Sequence, residues 1–256
     1  MTQLKVFIDG QRLFTYKVAY DAGTAPNPNG TNCTLAICKP NIRRIANIGD
    51  VIVGFGCKSA NHTDEEWRIV YCMEVSESFP WEKYIERCNA EDSYKHKIPL
   101  SKNDQGDCIW KQASACEDPH PSWSGHNKED FQRDVKHGEN VLIGDIFWYF
   151  GKGDMHRIIL PEALRCIVPS KQGHRSNANS KNNFREDFVK FFNGELNHRK
   201  ITKTGVWGTP SIPPESADTR SCSGCRSAEI ISDASGEEFS HENQKINQKT
   251  EIAPLP

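Results

Sequence analysis

The sequence predicts an α+β domain, a β-rich barrel with short flanking helices that ends near residue 208 and is followed by a disordered C-terminal tail. Three observations lead there. Short segments rich in β-branched and aromatic residues recur between turn-forming clusters. Only two stretches carry apolar residues at a sustained helical repeat. Beyond Thr209 the composition turns to Ser, Glu, Lys, Asn and Pro, and Phe239 is the one aromatic residue there.

Lys5 to Tyr20 interleaves apolar and polar residues as a strand does and ends at the turn Asp21-Ala22-Gly23. Pro26, Pro28 and Gly30 then exclude a continuous helix or central strand. Cys33 to Cys38 reads as a short strand or turn, because Pro40 disfavours helical geometry at Lys39. Asn41 to Ala46 suits one helical turn. Val51 to Gly56 and Trp67 to Val75 are apolar runs of strand length flanking a polar loop, the pattern of a hairpin. Pro80 to Cys88 is a short amphipathic helix with Trp81, Tyr84 and Ile85 on one side. Ile109-Trp110 reads as a short strand, and Val141 to Gly151, the most apolar segment, as a core strand. Phe184, Phe188, Phe191 and Phe192 recur at helical spacing, which predicts a helix whose aromatic stripe faces the core.

The 256 residues comprise 36% hydrophobic and 26% charged side chains, and the six Trp and twelve Phe supply the apolar area a core needs. The formal net charge of −2 gives no overall bias towards nucleic acid, so any basic surface is local. No apolar run approaches the roughly 18–20 residues that span a bilayer, and the first twenty residues lack a signal-peptide core, so a cytoplasmic protein is expected. Its ten cysteines are scattered rather than framed, which predicts mostly reduced thiols. There is no Gly-x-Ser-x-Gly elbow, Walker loop or nicotinamide fingerprint, which weighs against the common hydrolases, NTPases and dehydrogenases.

Four constellations bear on chemistry. The proline-bounded loop from Asp21 to Pro28, with Thr34, Lys39, Arg43 and Arg44 nearby, can hold polar groups in one geometry. Asn27 suits a base edge, and the cations suit phosphates; the plainer alternative is a fold-shaping turn. The basic loop Lys171-Gln172-Gly173-His174-Arg175 offers a phosphate or nucleic-acid contact, and from Arg165 to Lys203 nine basic residues face three acids. Cys108, Cys116, His120 and His126 are ligand types without a zinc knuckle's spacing, and Cys222-Ser223-Gly224-Cys225 lacks a second pair. No metal site and no cofactor are therefore expected. Cys33 and Cys38 lie beside Lys39 and Arg43, which favour a thiolate. No particular histidine can be assigned as their base, and buried structural cysteine is the commoner case.

Several runs carry a family resemblance: Tyr20-Asp21-Ala22-Gly23, Ala25-Pro26-Asn27-Pro28, Cys33-Thr34-Leu35-Ala36, Cys38-Lys39-Pro40, Ile42-Arg43, Gly49-Asp50 and Ile52-Val53-Gly54. Looser pieces follow at Gly106-Asp107, Ile109-Trp110, His126-Asn127 with a following Asp, Val141-Leu142-Ile143, Tyr149-Phe150-Gly151 and Gly173-His174-Arg175. Over residues 14–200 the chain resembles the nucleotide modification associated domain family, type 2. At the level of fold it is also similar to the PUA, ASCH and EVE barrels, which implies a PUA-like barrel. The resemblance implies a role with modified DNA bases but supplies no reaction. It nominates Asp21, Asn27, Thr34, Lys39, Arg43, Asp50, His174 and Arg175 as nucleotide-binding candidates.

These readings favour a domain that binds a modified nucleotide or nucleic acid, with a flipped base in a pocket near Asp21–Arg43. One alternative is an enzyme of base or nucleotide modification using Asp21, Cys33 or His174. The other is an accessory subunit that binds protein partners of a modification system.

Overall fold

The computed structural model describes residues 2–5, 10–19, 21–56, 67–152, 155–169, 174–176 and 184–211. The side chains of Arg175 and Ser176 and the tail beyond Ser211 lie outside them, as does the Cys222–Cys225 pair.

Among the described residues nine strands form two sheets. The larger is built from β1 (Leu13–Val18), β3 (Val51–Gly56), β4 (Ile69–Glu74), β7 (Ile146–Tyr149), β8 (His174–Ser176) and β9 (Gly205–Val206), in the order β8-β1-β3-β4-β7-β9. The smaller holds β2 (Cys33–Leu35), β5 (Glu77–Pro80) and β6 (Asn140–Gly144), in the order β2-β6-β5. β3 and β4 are the antiparallel pair expected of the hairpin. The mixed α+β class therefore holds, but the barrel does not: among the described residues neither sheet closes on itself.

Alternation along the strands explains why two layered sheets form. On β1, Leu13 faces a core with Val51, Val53, Phe55, Trp148 and helix α3 (Phe184–His198). Phe14, Tyr16 and Val18 point the other way, into a second core with Tyr71, Met73 and Tyr149 that is closed by Leu35 and Leu142 of the small sheet. Val141 and Ile143 leave the far side of the small sheet for a third core with Phe79, Trp110 and helix α2 (Trp81–Ala90). Both sheets are thus covered on both faces, which favours near-continuous apolar runs over strict alternation.

The same demand corrects the reading of Val141 to Gly151 as one strand. The chain leaves the small sheet at Gly144 and enters the large one at Ile146, so β6 and β7 serve different layers. Ile109 and Trp110 are buried as expected but in irregular backbone; the Ile109 carbonyl is satisfied by the His120 amide at 2.7 Å. The aromatic helix is longer than its stripe, with Phe188 and Phe192 fully buried and Phe184 and Phe191 packed at the margin. Past residue 208 the described chain continues to Ser211, whose amide donates to Asp21 at 3.2 Å.

β1 and β3 are parallel neighbours, and parallel strands need a long crossover. That crossover carries the loop after Val18, then β2, then helix α1 (Pro40–Ile45). It lies on the Tyr16 face and opens a cleft at the C-terminal end of β1. No described helix is long and apolar enough to cross a membrane.

Phe192 stacks on Phe188 at 5.6 Å and meets Trp148 and Phe150 edge-on at 5.3 and 6.3 Å. Phe192→Ala is expected to lower the unfolding free energy by about 3–5 kcal/mol with an unchanged urea slope, as checked by equilibrium denaturation.

Candidate active site

The cleft is narrow, with about 20 Å³ open to the centre of a water-sized sphere. Tyr16 and Val18 of β1, Ala19, Thr24 and Ala25 of the crossover loop, Cys38 and Lys39, and Ser124 and His126 line it. It holds a Cys–His–Asp triad. The Cys38 Sγ lies 3.5 Å from His126 Nε2, and His126 Nδ1 lies 2.6 Å from Asp134 Oδ2. The other carboxylate oxygen, Oδ1, accepts the Cys38 amide at 3.0 Å, so one aspartate orients both the base and the nucleophile's backbone.

Each member is presented by irregular backbone under tension or tight support. Cys38 and Lys39 are consecutive non-glycine residues in the left-handed region, at φ 57° and 45°. Such a conformation costs roughly 1–2 kcal/mol per residue and persists where surrounding contacts impose it. Here Asp134 holds the Cys38 amide and Arg43 Nε holds its carbonyl at 2.7 Å. Pro40 then starts α1 at a position where no amide is needed. His126 follows a tight turn in which Gly125 takes φ 64°, while Ser124 Oγ accepts the His126 amide at 3.2 Å. Asp134 sits in a π-helical stretch, Gln132–His137, a rare geometry found mostly at functional sites.

Arg43 ties these segments together. Fully buried on α1, it also donates through Nη1 to the Asn140 carbonyl and through Nη2 to the Asp134 carbonyl, each at 2.7 Å. The Asp134 carbonyl accepts Trp81 Nε1 as well, at 2.8 Å. Gly138 makes room for this clamp, since a Cβ there would stand 2.1 Å from an Arg43 nitrogen.

The electrostatics set the protonation state. Burial opposes charge on His126, but the Asp134 carboxylate and the Cys38 sulfur outweigh it and raise the imidazole pKa to about 10. For Asp134, burial works against the carboxylate, and His126 more than compensates, holding its pKa below the ordinary value. The histidine is therefore an imidazolium at neutral pH, in contact with a thiol whose ionised form it favours. Arg133 adds a partly buried cation, with Nη2 3.3 Å from His126 Nε2 and 3.1 Å from Asp130 Oδ1. Such a set can form and release a covalent bond to sulfur, with His126 moving the proton.

The residues nominated by sequence are placed differently. Lys39 lines the cleft, half-buried, with Nζ 5.1 Å from the Tyr16 ring centre. Arg43 is fully buried and clamps backbone carbonyls. Asp21 is buried, accepting Tyr149 Oη at 2.6 Å, and burial pushes its pKa up to about 6 against that bond. Asn27 and Thr34 belong to a buried network: Asn27 Nδ2 donates to the Gln105 carbonyl at 2.6 Å, and Thr34 Oγ1 donates to Asp107 at 2.5 Å. Lys97 Nζ donates into the same network, to Asn27 Oδ1 at 3.1 Å and to the Asn32 carbonyl. Asp50 is held by Arg12, whose amide and guanidinium donate to it at 2.7 and 2.8 Å. His174 lies on β8 opposite Tyr16, its ring 6.5 Å from that of Phe14, and outside the cleft lining. Arg175 is on β8, its side chain outside the described residues. Asp21, Lys39, Arg43 and His174 thus do not line one cavity.

Cys33 is no candidate nucleophile, because burial pushes its pKa up to about 12. The four possible metal ligands do not gather among the described residues: Cys116 is exposed against the Lys128 carbonyl, and His126 belongs to the triad. His126 had two signals in the sequence, as a ligand type and within His126-Asn127. Asp134 carries no signal of its own, since Asp130 is the first Asp after His126-Asn127, and nothing across a separation of 88 residues pairs His126 with Cys38.

Arg43→Lys keeps the charge but cannot reach three divergent carbonyls. It is expected to cost about 2–4 kcal/mol, read by denaturant midpoint. A change under about 0.5 kcal/mol, the range of ordinary surface substitutions, would remove the clamp from the account.

No curated protein and no solved structure matches the chain. The model of the nucleotide modification associated domain 2 family matches residues 10–208, a span that holds both sheets, the cleft and all three triad members. The chain belongs to the nucleotide modification associated domain 2 family.

Proposed function

We propose that this protein is a cysteine-dependent enzyme of nucleotide modification, which transfers or hydrolyses an acyl group carried by a nucleotide or a modified base. The observation that carries the reading is the run of contacts from Cys38 Sγ through His126 to Asp134, at 3.5 and 2.6 Å, inside a cleft. A binding module has no use for a thiol held in a strained turn against an imidazolium. An acyl-transfer enzyme needs both, the sulfur as nucleophile and His126 as the acid that protonates the leaving group. Asp134 fixes the ring and stabilises its charge, as the acidic member of such triads does.

Family membership supports the nucleotide as substrate class. Lys39, next in sequence to the nucleophile and on the cleft wall, suits a substrate with a phosphate near the reacting group. Binding of modified nucleotides or nucleic acid, which the sequence favours as the whole function, becomes here the substrate-recognition half of a reaction.

The imidazolium beside the Cys38 sulfur leads to an expected pH profile. Alkylation of Cys38 by iodoacetamide, followed by peptide mass spectrometry, is expected to vary less than about tenfold between pH 6 and 9. An ordinary thiol of pKa about 8.5 loses over a hundredfold in that interval. Asp134→Asn, which can still accept the Cys38 amide but cannot stabilise the imidazolium, is expected to restore the steep dependence. The function itself is tested by incubating the protein with plain and acyl- or aminoacyl-modified nucleotides and oligonucleotides. Turnover of a modified substrate, a Cys38-linked intermediate and loss of both in Cys38→Ala are expected. Tight nucleic-acid binding without turnover, equal in Cys38→Ala, would make the domain a reader.

A further inference from the structure

The triad cleft, with about 20 Å³ open to the centre of a water-sized sphere, has room for little more than one small group. A reacting carbonyl can enter it; a nucleobase cannot. Space for a base exists in a second hollow beside it, where about 410 Å³ is open on the same measure. Asn29, Ser101, Asn103, Asp104, Gln105 and Trp123 wall that hollow. It neighbours the cleft along the chain in two places. Trp123 lines the hollow and Ser124 the cleft, while the crossover loop gives Thr24 and Ala25 to the cleft and Asn29 to the hollow.

The polar side chains of the hollow are held in place. Buried Asn27 accepts the Asn29 amide on Oδ1 at 3.0 Å and donates to the Gln105 carbonyl at 2.6 Å, which fixes both residues. Gln105 Nε2 donates to the Ala22 carbonyl at 3.1 Å, and Gln105 Oε1 accepts Asn29 Nδ2 at 3.3 Å. Asp104 accepts the amides of Leu100 and Gly106, each at 3.2 Å, and its carbonyl accepts the Trp123 amide at 2.8 Å. Asn29 and Gln105 each keep one side-chain N–H beyond these bonds. Asn103 bonds through its backbone amide, to Ser101 Oγ at 3.3 Å, and among the described residues its side-chain amide is free.

This chemistry selects its ligand. No Lys or Arg lines the hollow and Asp104 does, so a phosphate is disfavoured there. Amide donors and acceptors stand side by side, the pattern with which Asn and Gln read the edge of a base. Leu100, next to Ser101, is 86% exposed and offers an apolar surface that suits a flat ring better than a sugar.

We propose that the hollow is the nucleobase subsite, with Asn29, Asn103 and Gln105 taking the polar edge of the base and Leu100 its face. This assignment rests on the nucleotide as substrate class and is independent of the acyl chemistry at Cys38.

The full chain, isotope-labelled for NMR, is titrated with adenosine, guanosine, cytidine, thymidine, ribose and a short mixed-sequence single-stranded DNA. At least one nucleoside is expected to shift the side-chain amide signals of Asn29, Asn103 and Gln105, and ribose none of them. Asn103→Ala is expected to raise the Kd roughly tenfold, as loss of a base-edge contact does. Leu100→Ser should weaken binding several-fold, and both variants, altered at exposed positions, should melt with wild type. Tighter binding of the oligonucleotide supports a base carried in a strand, and equal binding a free nucleotide; each supports the subsite. Absence of shifts at the three amides overturns it, as do equal shifts with ribose or a Kd unmoved by Asn103→Ala. Base-dependent shifts here in a chain that turns over no acyl substrate uphold the subsite and remove the acyl-transfer reading. Turnover at Cys38 without those shifts does the reverse.

Discussion

A single buried guanidinium holds the geometry on which the rest depends. Arg43 donates to the carbonyls of Cys38, Asp134 and Asn140, and so joins the turn after β2, the π-helical segment and the start of β6. These three pieces come from distant parts of the chain, and two of them, the turn after β2 and the π-helical segment, lie outside any sheet ladder. Their carbonyls are buried and need donors, and one planar cation with five N–H groups supplies all three. With the segments fixed, Asp134 can reach the Cys38 amide and the His126 ring with its two oxygens. The triad is thus a consequence of the clamp and of the aspartate it positions.

The layered fold gives this arrangement its place. Both sheets are buried on both faces, so the crossover from β1 to β3 runs over the second core and leaves a cleft where β1 ends. Cost and function coincide there: two left-handed non-glycine residues border the cleft, and a π-helical stretch holds the aspartate behind His126. Asp50 with Arg12, and Asn27 and Thr34 with Lys97 and Asp107, are structural networks. Burial pulls Lys97 below its ordinary pKa and pushes Asp107 above, each against the attraction of the other.

Much of this fold was legible because periodicity is a local property. The β3–β4 pair, α2 and the aromatic face of α3 follow from residues a few positions apart. The split of Val141–Gly151 into two strands was not legible, because a wholly apolar run says only that both faces are buried, not which sheet it joins. Closure failed as a prediction for the same reason: strand count carries no information on strand order. At the site, Lys39 and Cys38 were visible as a cation beside a thiol. The carbonyl clamp made by Arg43 was not legible, because an arginine on a short helix gives no sign of whether it points to solvent or to backbone carbonyls. His126 and Asp134 pair with Cys38 across 88 and 96 residues, a distance over which spacing rules are silent.

The central claim is that Cys38, His126 and Asp134 act as one electrostatic unit. NMR titration of the His126 ring in labelled protein tests it directly, in wild type and in Cys38→Ala. The account predicts a wild-type midpoint near 10 that falls when the sulfur is removed. A wild-type midpoint near the ordinary histidine value of about 6.5, unmoved by Cys38→Ala, would contradict it.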